Sequence, residues 1–241
     1  MKICVNVLIE YDSLFENVID FMETLRKTKG DFSVCVVNNS PRRFIELENC
    51  DWFDDINIIW NNIDVGFVTS VNQLLNYSSK YDYSFFINSK YALVVKDDWM
   101  EIAIKDLGDE FLGGHIFPVK MTNSEKIQKI LYSISSTDLS WLSKWTNRYM
   151  VLPCINRNAF LIRNSGLNSI KIPNSKYCDD SSYGLALTMA FMEGGMGPVS
   201  LKSIYSSDLD AHRHDIFSVI KQGAGLINPV VIDSVRNRLK N

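Results

Sequence analysis

Phe32 to Ser40 read FSVCVVNNS, an apolar run rich in β-branched residues that stops on polar residues just before Pro41. A short run apolar at nearly every position reads as a strand buried on both faces, and the Asn-Asn-Ser-Pro stop marks where the chain turns out of the sheet. N-terminal to it, Lys2 to Ile9 (KICVNVLI) has the same character. Between the two, Leu14, Val18, Phe21, Met22 and Leu25 recur at three- and four-residue spacing. Ser13 stands where a helix would be capped and Gly30 where it would be released. On the other side follow a third strand at Ile56 to Trp60, a helix from Gly66 to about Tyr77, and a fourth strand at Tyr83 to Ile87 (YSFFI). Strands joined by helical crossovers form parallel sheets with both faces covered and right-handed connections. The fold expected is therefore α/β and Rossmann-like: a mostly parallel central sheet flanked by helices. Such sheets bind ligands at the carboxyl ends of their strands. That rule selects Tyr11-Asp12, Asn38-Asn39-Ser40 and Asn88-Ser89-Lys90.

The second half is less regular. Phe111 to Val119 (FLGGHIFPV) reads as a strand, Ser124 as the cap of a helix running through Ile134, and Asp138 as the start of another through Trp145. After Pro153, Asn158 to Ile162 reads as a strand, Asp180 to Glu193 as a helix ended by Gly194-Gly195, and Gly197 to Tyr205 as a strand. The tail from Asp215 reads as a helical extension broken at Asn228-Pro229. No repeat or linker divides the chain, so residues 1–241 are expected to form one domain.

Hydrophobic residues make up 46% and charged residues 22%, and a net charge of −3 gives no global basic field for nucleic acid. The five cysteines, Cys4, Cys35, Cys50, Cys154 and Cys178, form no CxxC pair. Their scatter suits buried free thiols in a reducing compartment better than a disulfide framework or a zinc site. The apolar run Ile3 to Ile9 is too short for a signal core or membrane span, which makes a cytoplasmic location the expectation.

Four segments in order resemble the inverting family 2 glycosyltransferases, whose fold is called GT-A. Val36-Val37-Asn38-Asn39-Ser40 is similar to the family's Val-Asp-Asn-Ser strand end, whose Asp usually contacts uracil. Asn62 to Phe67, with Asn72 beyond, resembles its Asn-x-Gly-Phe…Asn helix entry. Tyr83 to Asn88 and then Val94 to Trp99 resemble the strand before the metal motif and the helix start after it. Ala159 to Arg163, followed by Cys178-Asp179-Asp180 and an apolar helix, resembles the acceptor half with its acidic catalytic pair. The resemblance spans about residues 2 to 214. It implies a nucleotide-sugar-binding half at 1–118, an acceptor-side half at 119–214 and a tail at 215–241.

What the resemblance implies is transfer of a sugar, with inversion, from a nucleoside-diphosphate donor such as a UDP-sugar to a hydroxyl. That chemistry needs a general base on the acceptor and positive charge on the leaving diphosphate. The implied base is Asp180, with Asp179 its alternative, although carboxylates there also suit a helix cap. The implied donor contacts are Tyr11, Asn38, Asn39, Asp64, Gly66, Asn72, Asn88 and Lys90. Turn and capping roles compete for Asn38 and Asp64.

The family pattern puts an acidic metal ligand where this chain has Lys90. Lys90 could itself face the diphosphate, giving transfer without the usual DxD-bound cation, or the site could have lost activation and serve as an inactive nucleotide-sugar-binding or scaffold protein. Mn²⁺ or Mg²⁺ stays in play through Asp208, Asp210, His212 and His214. These recur every second residue and would share a side of an extended segment. The bland reading of that segment is a polar loop. Trp141, Trp145 and Tyr149 stand at i, i+4, i+8 beside Lys144 and Arg148, as a core stripe or as an acceptor platform. A transferase acting on hydroxylated bases in DNA is a further alternative, permitted by that segment and by the basic residues from Arg236 to Lys240 but not favoured by the acidic total. Gly113-Gly114-His115 reads either as a close backbone approach to a ligand or as a strand irregularity.

Overall fold

A computed structural model describes residues 1–13, 15–42, 47, 56–90, 92–94, 97–121, 150–176, 178–201 and 203–206. Trp141, Trp145, Tyr149, the alternation from Asp208 to His214, and the helices expected at 124–134, 138–145 and in the tail all lie outside them.

The order of elements is β1 (Ile3–Ile9), α1 (Phe15–Arg26), β2 (Ser33–Asn38), β3 (Ile56–Trp60), α2 (Phe67–Ser78), β4 (Tyr83–Asn88), β5 (Ala92–Val94), α3 (Trp99–Leu107), β6 (Leu112–Met121), β7 (Met150–Arg163), α4 (Tyr183–Glu193), β8 (Pro198–Ser200) and β9 (Ile204–Ser206). Seven strands form one sheet in the order β3-β2-β1-β4-β7-β6-β8, while β5 and β9 pair separately. Only β7 runs against its neighbours in the large sheet. The β4–β7 pairing joins the first half of the chain to the second within one sheet.

The two-residue period of β1 sorts its side chains between two cores. Cys4 and Leu8 pack with α2 and α4, whereas Ile3, Val5, Val7 and Ile9 pack with α1 and α3. On α1 the expected stripe of Val18, Phe21, Met22 and Leu25 is buried. Tyr183 to Phe191 of α4 are all buried, which explains why that helix is apolar on every side. The fit against β7 is close. A Cβ on Gly184 would lie 2.3 Å from the backbone oxygen of Ile155.

Two expectations need correction, and one open alternative is decided. β7 begins at Met150 rather than Asn158, because Pro153 lies opposite Pro118 in a two-stranded arm of β6 and β7 that outruns the other strands. Proline is tolerated there, since among the described residues no further strand needs its missing N–H. The single strand expected at 197–205 is two. β8 joins the large sheet, buried Leu201 follows with its N–H on the oxygen of Gly114, and β9 pairs with β5. Gly113-Gly114-His115 forms a register shift against β7 between Gly114 and Ile116. A Cβ at Gly113 would press within 2.9 Å of Leu201, so the small residue serves packing there.

Candidate functional site

β1, β2, β3 and β4 are parallel, so their carboxyl ends share one edge of the sheet. In the β1–β4 register Leu8 faces Asn88, and the chain just beyond brings Glu10 and Asp12 to Lys90. The Lys90 ammonium donates to Asp12 Oδ2 at 2.6 Å and lies 3.8 Å from Glu10 Oε2. Glu10 is held in turn by the buried Asn88, whose Nδ2 donates to Glu10 Oε1 at 3.1 Å and lies 3.3 Å from Asn158 Oδ1. Asn88 Oδ1 accepts the backbone N–H of Lys90, and Ser89 Oγ donates to the oxygen of Leu8. The hydrogen bond from Lys90 holds the Asp12 carboxyl below its ordinary value, against a smaller effect of burial, and the charge of Lys90 adds to it. Tyr11, between the two acids, is 54% exposed.

At the end of β2 the two asparagines are turned inward. Asn38 Oδ1 accepts the N–H of Ser40 and its Nδ2 donates to the oxygen of Arg42, so both polar ends of the side chain shape the turn. Asn39 is buried; it donates to Ser70 Oγ at 2.8 Å and accepts from Asn61 Nδ2 at 2.9 Å. Asn61 and Gln73 exchange a pair of amide hydrogen bonds, and Ser70 Oγ donates to the oxygen of Gly66. This network fixes the start of α2 against the ends of β2 and β3. Two residues in the connection have positive φ, Asn62 at 57° and Gly66 at 79°, values that asparagine and glycine tolerate best. Asp64 Oδ1 accepts the N–H of Gly66.

The acidic pair arrives from the other half. Asp179 closes a capping box with Ser182: its Oδ1 accepts from Ser182 N at 2.9 Å, from Ser182 Oγ at 2.6 Å and from Ser181 Oγ at 2.9 Å. Asp180 is exposed, and among the described residues its carboxylate has no hydrogen-bond or ion-pair partner. Both acids line a cavity of about 450 Å³ with Val65, Gly66, Val68 and Thr69 at the start of α2. Asn72 fastens this arrangement from behind, donating to the oxygen of Pro173 at 2.9 Å and meeting Tyr183 Oη at 3.4 Å.

The structure thus gathers the expected residues into two groups on one edge. Tyr11, Asn38, Asn39, Asn88 and Lys90 stand at the ends of β1, β2 and β4, while Gly66, Asp179 and Asp180 share the cavity. Asn72 faces the core side of α2 instead. Sequence reasoning missed Glu10, Asn61, Gln73, Asn156 and Asn158. Glu10 could have been found by carrying the strand-end rule back one residue from Tyr11. Asn158 could not, because its place beside Asn88 follows from the antiparallel direction of β7. Its N–H is held by Asn156 Oδ1 at 2.8 Å.

The end of β4 carries an ammonium where a metal ligand was expected. The carboxylates beside it, Glu10 and Asp12, already surround that ammonium, and among the described residues no group of three or more His, Cys, Asp or Glu side chains converges. Cys4, Cys35, Cys154 and Cys178 are buried free thiols, and burial pushes Cys154 up to about 12.

The chain matches no protein-family model and no curated protein. It is similar in structure to the mannosyltransferase PcManGT of Pyrobaculum calidifontis, solved with GDP-Man and Mn²⁺, at TM-score 0.54 and 12% identity over 82% of this chain and 54% of that one. It is similar to residues 1–349 of TarS from S. aureus solved with UDP, at TM-score 0.58 and 11% identity over 100% of this chain and 71% of that one. The same TarS fragment with UDP-GlcNAc gives TM-score 0.54 and 14% identity over 86% and 57%. The chain spans a little over half the length of the mannosyltransferase. Identities this low speak for the fold, and the fold is that of the GT-A-like glycosyltransferases.

Proposed function

We propose that the chain is a glycosyltransferase that moves a sugar from a nucleoside-diphosphate donor, UDP-linked, to an acceptor hydroxyl with inversion. Residues 1–118 would hold the donor and 119–214 the acceptor. The observation that carries this reading is the exposed carboxylate of Asp180, in a cavity bordered by Gly66 on the edge of the sheet where Lys90 presents an ammonium. In this reading Tyr11 offers its exposed ring to the base, and the turn built by Asn38 and Asn39 forms the floor beneath it. Asp64 meets the ribose. Lys90, oriented by Asn88 and Glu10, meets the diphosphate and stabilises the charge that develops as the glycosidic bond breaks. Asp180 takes the proton of the acceptor hydroxyl as its oxygen attacks the anomeric carbon from the face opposite the leaving group. Asp179 shapes the loop that carries Asp180.

This mechanism draws its positive charge from Lys90, whose ammonium already holds Glu10 and Asp12, the described carboxylates at the end of β4. UDP should raise the melting temperature, and the shift should be the same with EDTA as with Mn²⁺. No shift with UDP would remove the donor assignment; a shift that appears only with Mn²⁺ would remove the role given to Lys90.

A further inference from the structure

The charge balance beside Lys90 poses a problem that the proposed function leaves open. Among the described residues two carboxylates surround one ammonium, a net negative group. A diphosphate arriving there would be repelled unless one carboxylate withdrew. Glu10 is poorly placed to do so: its side chain is 23% exposed and Asn88 anchors its other oxygen. Asp12 differs on each count. Its side chain is 66% exposed, it stands in the turn after β1, and Lys90 is its only side-chain partner among the described residues. Exposed ion pairs of this kind contribute little to stability, so breaking one is cheap. Its oxygen lies 2.6 Å from the ammonium, where a phosphate oxygen accepting the same proton would sit.

We propose that Asp12 is an internal stand-in for the donor's diphosphate. It occupies the Lys90 ammonium in the free protein, yields it when the nucleoside diphosphate binds, and takes it back as the product leaves. Asp12 thereby sets donor affinity without touching the reacting atoms. The inference rests on the reading that the diphosphate binds at Lys90. It also states what Glu10 is for: with Asp12 displaced, Glu10 keeps Lys90 aimed at the site.

Calorimetric titration of the full chain with UDP and with uridine tests this. In wild type, UDP binds more tightly than uridine, and Lys90→Met removes that advantage. Asp12→Asn binds UDP roughly two- to five-fold more tightly than wild type, because the competing charge is gone, and binds uridine as wild type does. In turnover, the variant lowers the donor KM, and kcat stays level or falls as UDP leaves more slowly. Asp12→Ser repeats the measurement should the asparagine variant fold poorly. Unchanged or weaker UDP binding in both variants, with the Lys90-dependent advantage intact in wild type, overturns the stand-in role and leaves the proposed function standing. Absence of that advantage in wild type overturns both.

Discussion

Asp179 and Asp180 are neighbours of one chemical type, and their surroundings assign them opposite duties. Asp179 accepts three hydrogen bonds that close the loop entering α4, so Asp179→Ala removes a helix cap. Such a loss costs about 1 kcal/mol, which for a chain of this length lowers Tm by roughly 2–4 °C. Asp180 is exposed and makes none of these contacts; its stabilising effect is limited to a favourable position near a helix start, on the order of 0.5 kcal/mol. Asp180→Asn should therefore shift Tm by less than about 2 °C. If Asp180 is the general base, the same change lowers transfer by about 10²–10⁴-fold while the affinity for UDP stays as it was. Scanning calorimetry, UDP titration and a turnover assay that counts released UDP measure the three quantities on the same preparations. Asp179→Ala should keep most of its turnover at a temperature well below its Tm. Two results would refute the reasoning. One is full turnover in Asp180→Asn. The other is exchange of roles, with Asp179→Ala inactive yet as stable as wild type.

Gly184→Ala forces a Cβ to within 2.3 Å of the Ile155 oxygen, a backbone atom that cannot swing aside; it should cost about 1–3 kcal/mol and lower Tm by roughly 2–12 °C, and an unchanged Tm would mean that α4 does not sit against β7 as described. The carboxyl of Asp12 should titrate below its ordinary value of 3.8. Because the folded value is depressed, the ion pair with Lys90 is complete above that ordinary value and is lost as pH falls through the lowered one. Carbon-detected NMR should see the midpoint rise in Lys90→Met, where both contributions of Lys90 are gone. EDTA should leave the UDP-induced rise in Tm unaltered, and a loss of the shift would restore a cation to the site.

What could be read from the chain beforehand was whatever depended on local period. Runs such as Cys4 to Ile9 and Val34 to Val37 are short, rich in β-branched residues and largely apolar on both faces of a two-residue alternation, the pattern of buried parallel strands. The strand-end rule then located Tyr11, Asn38, Asn88 and Lys90 without any knowledge of the side chains around them. Long-range choices were not legible. Pro153 reads as a breaker in isolation, and its position opposite Pro118 in the two-stranded arm of β6 and β7 makes it a strand residue. The residues 197–205 alternate like one strand, and nothing local says that the chain changes sheets at Leu201. Asn38 shows a different limit. Its position was legible, but its amide has two uses, and the backbone of Ser40 and Arg42 takes both ends of it.

Lys90 is the residue on which the local and long-range readings meet. Alone, a lysine two residues past a buried strand is the loss of an acidic ligand. In the β1–β4 register it is something else, because the same strand end carries Glu10 and Asp12 from β1. A carboxylate at residue 90 would put three acids within a few ångströms, a group that like-charge repulsion keeps from ionising together unless a cation joins it. The lysine supplies that cation from within the chain. Its companions are one anchored carboxylate, Glu10, which cannot leave, and one exposed carboxylate, Asp12, which can. An ammonium so placed is reached by an anion able to displace Asp12. A diphosphate, with several oxygens to offer against one carboxylate, meets that condition where a neutral sugar or a nucleoside does not.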